Sequence, residues 1–471
     1  MSQDELCYWS ATTTAAAVAR KDVSPVDVVD ATLARIERVN PVLNAYCTVT
    51  AEQARQDARA AEQKVMRGEP LGRLHGVPVS VKDTLCTAGI RTTMGSAIYA
   101  DFVPTRDAAI VARLKAAGAI VLGKTTTPEF AHKGLTDSPL LGVTRNPWSP
   151  AHTCGGSSGG AGAAVAAGMG PLAVGTDEGG SIRIPATFCG VVGLKSTFGL
   201  IPRVPLGVAE LLTHLGPLTR TVADAALFLT VTAGRDDRDG WSITSPSTDY
   251  VAQLSQPLGR LHAAWSPTLG YAVLDPEVQR LTEAAVQRLP ELGWEIEQQD
   301  PGFPDPGQIA DAFRHPGLAA ALGEHLATWR TRMDPSLIAL VENGQHLSAV
   351  DVANALFQRQ ELWAVMQQFF QRYDLLITPT VAIPPFAAGA PAPTEVAGHP
   401  VSRRGWSAFT YPFNLTGNPA ITLPCGWTAE GLPVGLQLVG RRLEDTLVLR
   451  AAAAFEALMP WADRRPAIDA C

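Results

Sequence analysis

Valine alternates with other residues through Gly76-Val-Pro-Val-Ser-Val-Lys-Asp83. Val77, Val79 and Val81 fall on one face and Pro78, Ser80 and Lys82 on the other, the period of a strand, which puts Lys82 at its C-terminal end. Ala108 to Ala117 has helical spacing, and Ala119 to Leu122 is a short apolar strand ending at Gly123-Lys124, so a strand-helix-strand succession is expected. Upstream, Ser24-Pro25-Val26-Asp27 opens a helix that carries Val29, Leu33 and Ile36 on one face. Asp27 stands where a capping-box acid reaches back to the Ser24 amide, and Asn40-Pro41 is the expected stop. Ala51 to Met66 predicts a second helix, polar on most of its surface and stopped by Gly68.

Glycines punctuate apolar segments from Gly155 to Gly193, as in loops that let a backbone approach a ligand closely. Leu261 to Glu297 predicts a βαβ unit whose helix carries Val278, Leu281 and Leu289. Pro301 to Arg372 reads as helical, inside a variable and largely helical segment of about 236–372. Strands return at Leu375 to Pro379, Ile421 to Pro424 and Val434 to Val439, and no tandem repeat is found. One domain over 1–471 is expected, with its core at about 70–230 and the closing strands in about 373–471.

With 471 residues, 46% of them hydrophobic, the chain can bury a large core in one α/β unit. A formal charge of -7 argues against a nucleic-acid surface and leaves a small or neutral substrate as the expectation. The N-terminal residues lack a basic segment, an apolar run and a cleavage site, and no apolar stretch reaches the length of a membrane span, so a cytoplasmic protein without membrane contact is expected. The seven cysteines, Cys7, Cys47, Cys86, Cys154, Cys189, Cys425 and Cys471, show no CxxC pairing and no nearby histidine ligand, which suits reduced thiols and no metal.

Two serine motifs stand 24 residues apart, Cys154-Gly-Gly-Ser157-Ser158-Gly-Gly160 and Gly175-Thr-Asp-Glu-Gly-Gly-Ser181-Ile-Arg183. Glycine amides have no side chains to shield them, so Gly179 and Gly180 can turn N–H groups toward a developing oxyanion. Neither stretch fits GxxxxGK[ST]. Gly155-Gly-Ser-Ser-Gly159 fits GxSxG, but that pattern needs a strand immediately before it, and Asn146-Pro-Trp-Ser-Pro150 cannot be a central strand. The nine histidines do not sit in comparable loops; His75 and His132 are nearest and read as packing or loop residues. Lys82 is then the candidate base, because a desolvated lysine can lose its proton. Bringing a lysine from about 10.4 to about 7 takes roughly 4.6 kcal/mol from its surroundings, and a strand end beneath glycine loops can supply much of it.

These residues, with Thr144-Arg-Asn-Pro-Trp148, Gly190-Val-Val-Gly-Leu-Lys195, Asn414-Leu-Thr-Gly-Asn-Pro-Ala420 and Gly431-Leu-Pro-Val-Gly-Leu-Gln437, resemble the amidase signature family of serine hydrolases over nearly the whole chain. The resemblance implies an α/β/α sandwich around one large mixed, twisted β-sheet. It also implies a Ser-cisSer-Lys triad, with Ser181 the nucleophile, Ser157 the bridging serine after a cis peptide from Gly156, and Lys82 the base. The amides of Glu178, Gly179, Gly180 and Ser181 would hold the oxyanion, Asp177 and Arg183 would brace the loop, and no metal or organic cofactor is required.

Glu178 departs from the small or neutral residue many relatives carry. Its carboxylate either turns away into a hydrogen bond or faces the pocket and disfavours anions. The substrate pocket is expected to draw on Phe130 and His132 and on Trp406, Phe409 and Tyr411, although those three aromatics suit the core equally.

The expected partner is a small amide, with aryl carbamates served by the same acyl transfer; a homodimer is left open. Two rivals are a glutaminase component of a tRNA-dependent amidotransferase complex and a non-catalytic scaffold of the same fold. The glutaminase component resembles this chain but places an aspartate seven residues before the closing Asn-Leu, where Ser407 stands here. The scaffold should have lost a triad residue, and all three are present.

Overall fold

The valine strand forms as its pattern predicts, and its neighbours extend it into one sheet. The computed structural model describes residues 3–205, 207 and 211–468; Cys471 lies outside them. Eleven strands share the main sheet: β1 (Tyr46–Val49), β2 (Pro78–Lys82), β3 (Ile120–Thr125), β4 (Leu172–Asp177), β5 (Val192–Lys195), β6 (His214–Thr219), β7 (His262–Trp265), β8 (Glu295–Gln298), β9 (Leu375–Pro379), β10 (Ala420–Trp427) and β11 (Pro433–Gly440). Their order is β1-β3-β2-β4-β6-β5-β10-β11-β9-β7-β8. The sheet is mixed: β2 runs parallel to β3 and β4, β7 runs parallel to β8 and β9, and the pairs between β4 and β9 are antiparallel.

Strand periodicity sorts the core into two layers. Val121, Leu172 and Val174 join Val79 and Val81 in one apolar cluster, whereas Ile120, Leu122 and Ala173 join the cluster on the opposite face. Helices α1 (Pro25–Leu43), α2 (Ala51–Met66) and α3 (Ala109–Ala116) lead into α4 (Gly159–Ala166) and α5 (Arg183–Cys189), which stand just after the two serine loops. Residues of α1, α2 and α4 cover one face, and residues of α3 cover the other. The expected α/β/α arrangement is therefore present. No described helix is long and apolar enough to cross a membrane. The described cysteines are all free thiols.

Several boundaries differ from the sequence reading for local reasons. Ser24 caps α1 by accepting from the Val26 amide, and it gives its own hydroxyl proton to Glu62 in place of an exchange with Asp27. The helix also runs through Pro41 to Leu43. Asn40 lets it stop there, since its side-chain carbonyl accepts the Ala45 and Tyr46 amides while Asn44 adopts a left-handed conformation. Strand β3 continues past Gly123, where a register shift against β2 allows pairing to resume with Ser80 opposite Gly123 and Lys82 opposite Thr125.

Within the 236–372 segment the expected βαβ unit forms, with β7 and β8 at one edge of the main sheet and a helix over Pro276–Val286 between them. Its helices include α6 (Gly307–Leu322), α7 (Pro335–His346) and α8 (Ala349–Arg372). Leu318, Leu322, Leu337 and Val341 of α6 and α7 make a small apolar cluster of their own.

Candidate active site

Alternation along β2 turns Val79 and Val81 into the apolar layer and Lys82 to the other side, where it is fully buried. Its Nζ lies 2.6 Å from Ser157 Oγ, 2.8 Å from Thr176 Oγ1 and 3.0 Å from Ser158 Oγ. Burial lowers its pKa to about 7, against the opposing pull of Asp177 and Glu178. Ser158 and Thr176 belong to this cradle although the sequence motifs do not single them out. Ser158 Oγ donates to the Thr176 carbonyl at 3.2 Å, so its proton is committed and it can only accept from Lys82.

Both serine loops reach one cavity of about 150 Å³. Ser157, Thr176, Glu178 and Ser181 line its polar wall, and Leu85, Met94, Phe130 and Leu215 contribute an apolar one. The Gly156–Ser157 peptide is cis. The Ser158 amide donates to the Ser181 carbonyl at 3.0 Å, tying the two loops together. Gly180 has φ +119°, and a Cβ there would stand 2.6 Å from Thr410 Cβ, so both conformation and space require glycine.

The loop carrying Ser181 is braced from below. Asp177 and Arg183 are fully buried and paired at 2.9 Å. All five guanidinium donors are used: Nε and Nη2 reach the two Asp177 oxygens, Nη2 also Asn414 Oδ1, and Nη1 the Thr410 carbonyl and Gln437 Oε1. Burial alone would raise the Asp177 carboxyl, but Arg183 overrides it and holds it well below the usual carboxylate range. Asp177 also accepts the Gly180 amide at 2.7 Å and the Ile182 amide at 3.2 Å. The expected oxyanion donors must therefore be corrected. Gly180 gives its N–H to Asp177, whereas the amides of Glu178, Gly179 and Ser181 donate to no group among the described residues.

The expected pocket residues separate. Phe130 lines the cavity, with Ala131 beside it. His132 does not: it is buried behind that wall, its Nδ1 donating to the Glu129 carbonyl at 2.7 Å and its Nε2 2.7 Å from Ser336 Oγ. Burial lowers its pKa to about 3 and keeps the ring neutral. Trp406, Phe409 and Tyr411 are core residues. Trp406 packs against Phe188 and Phe386 at 6.2 and 5.8 Å, and Tyr411 donates its hydroxyl to Asp305 at 2.6 Å. They flank Thr410, whose Oγ1 donates to the Gly179 carbonyl at 2.7 Å, so this stretch supports the serine loop from the core side. The walls come instead from residues near 84–94 and 203–215, whose part in a cavity has no periodic signature. Glu178 faces the cavity and is also paired, with its Oε1 2.7 Å from Arg314 Nε of α6.

Comparison with known proteins identifies the family. The family model described as Amidase matches residues 27–449. An acylamidase of Rhodococcus erythropolis is 43% identical over 99% of both chains. A glutamyl-tRNA(Gln) amidotransferase chain of Cyanothece sp. is 37% identical over 95% of this chain and 97% of its own. A crystal structure of a bacterial aryl acylamidase of the amidase signature family superposes with a TM-score of 0.92 at 30% identity, covering 97% of each chain. The 11-stranded sheet and the span of these matches establish that this chain belongs to the amidase signature family and is an amide-hydrolysing enzyme.

Proposed function

We propose that the enzyme hydrolyses small neutral aryl amides through an acyl-enzyme on Ser181, with Ser157 relaying the proton and Lys82 as the base. The observation that carries the proposal is a buried lysine with its Nζ 2.6 Å from Ser157 Oγ, beside Ser181 on the same cavity wall. A neutral lysine has two N–H donors and one lone pair. Ser158, whose proton is committed, and Thr176 take the two donors, which leaves the lone pair for the Ser157 hydroxyl. Ser157 then accepts the Ser181 proton as Ser181 attacks, and the amides of Glu178, Gly179 and Ser181 receive the oxyanion. Ser157 returns the proton to the departing amine, and water deacylates the enzyme by the same path.

A cavity of about 150 Å³ with an apolar wall suits one ring; an apolar engineered cavity of roughly that volume takes up benzene. The similarity to acylamidases points the same way. Aryl carbamates present the same acyl carbon and are included in the proposal. The amidotransferase reading is disfavoured at Ser407, which is buried, carries no carboxylate and donates to the Arg404 carbonyl at 3.2 Å. A panel of acetanilides, primary amides, aryl carbamates and glutamine tests the reading: anilide turnover without glutaminase activity is expected, and glutaminase activity alone would reverse it.

The state of Lys82 sets the pH dependence. Only the neutral amine accepts a proton, so kcat/KM for an anilide should rise with pH through about 7 and level above it. Lys82→Met should flatten that limb and lower kcat/KM by about 10² to 10⁴. Stability follows the same sign. The folded pKa lies below that of a free lysine, so the cost of burying Lys82 is full below about pH 7 and is relieved as pH rises toward about 10.4. A pH-rate profile centred near 10 would contradict this.

A further inference from the structure

Glu178 stands in the loop between the buried Asp177 and the Gly179-Gly180 pair, and its side chain faces the cavity that holds Ser181. Arg314 grips it from α6. The guanidinium is nearly buried, with 8% of the side chain exposed against 18% for Glu178, and Nε is 2.7 Å from Oε1. That contact is close but not aligned as a linear hydrogen bond, since Nε has no hydrogen-bond partner by direction. Arg314 Nη2 donates to the His132 carbonyl, just behind the Phe130 and Ala131 wall. One arginine therefore joins three pieces of the site: the helical segment, the wall turn and the oxyanion loop.

This grip leaves the second carboxylate oxygen available. Oε2 takes no hydrogen bond among the described residues and is not among the sealed, unpartnered polar atoms, so it remains accessible. An accessible carboxylate oxygen beside an apolar wall is an acceptor waiting for a donor.

We propose that Glu178 is a specificity-determining residue, its carboxylate accepting a hydrogen bond from an O–H or N–H on the substrate, and that Arg314 is the positioning residue that aims it. The favoured substrates are ring-bearing amides with such a donor. The inference rests on the aryl-amide reading of this cavity. It adds a requirement which that reading does not contain, because an apolar pocket alone prefers a methyl group to a hydroxyl.

Unreactive ketones separate the two. 4-Hydroxyacetophenone and 4-methylacetophenone are near-isosteric. Titration of the wild-type enzyme should show the hydroxy compound binding about tenfold or more tighter than the methyl compound. Glu178→Met should invert the hydroxy/methyl preference. Glu178→Gln keeps the shape and a weaker acceptor, so it should narrow that preference. Arg314→Met should narrow the preference with Glu178 still in place, an effect that loss of packing alone would not make selective for the hydroxyl. An unchanged hydroxy/methyl ratio in both Glu178 variants, each with a wild-type circular-dichroism spectrum, overturns the proposal. Titration needs no turnover, so an enzyme with these preferences that hydrolyses no anilide would count against the reaction class and not against Glu178.

Discussion

Ser181→Ala is expected to lower kcat/KM for an anilide by about 10⁴-fold or more, and to do so through kcat. The cavity would keep its shape, because Ser181 contributes its backbone carbonyl to the Ser158 amide and that bond survives the substitution. Substrate affinity should change little. On the proposed mechanism, loss of the hydroxyl removes the group that forms the acyl bond, whereas Ser157→Ala leaves that group and the amides of Glu178, Gly179 and Ser181 in place. Its loss should be smaller, with the pH limb of Lys82 weakened because the link between base and nucleophile is gone. Single-turnover kinetics on both variants distinguishes these outcomes; equal losses in kcat with an unchanged pH profile would remove Ser157 from the relay.

Arg183→Met is expected to destabilise the fold by about 3 to 5 kcal/mol, the usual consequence of breaking a buried ion pair from one side. Asp177 would keep its carboxylate in a fully buried place with its principal cation gone. It also anchors the Gly180 and Ile182 amides on either side of Ser181, so the nucleophile loop should loosen as the protein destabilises. The sign with pH follows from the depressed Asp177 carboxyl. Its stabilising contribution is present above the ordinary carboxylate range and is lost as pH falls through the lower folded value. Denaturant unfolding near pH 7 checks the magnitude, and a change below about 1 kcal/mol would show that Asn414 and the loop amides hold Asp177 without Arg183.

Much of the candidate site is legible in the sequence because it is written in local patterns. Three valines on alternate positions orient Lys82, and two glycine-rich serine loops announce exposed backbone near hydroxyls. Other parts leave no such trace. The Lys82 cradle includes Ser158 and Thr176, whose roles follow from three-dimensional proton counting. Gly180 is expected from its motif to donate to an oxyanion, but the distant consequence of burying Asp177 beside Arg183 is that Asp177 takes that amide. Glu178 finds its cation 136 residues away on α6, a separation no periodicity reports. The Trp406, Phe409 and Tyr411 stretch is ambiguous in sequence because aromatic residues fill cores and pockets by the same apolar chemistry; burial and hydrogen bonding place all three in the core.

The most direct test of the acyl-enzyme on Ser181 is intact-mass analysis and peptide mapping after treatment with a serine-directed fluorophosphonate. One adduct per chain on the peptide containing Ser181 is expected, formed more slowly in Lys82→Met and absent in Ser181→Ala. An adduct mapped to Ser157, or labelling that persists in Ser181→Ala, would contradict the assignment.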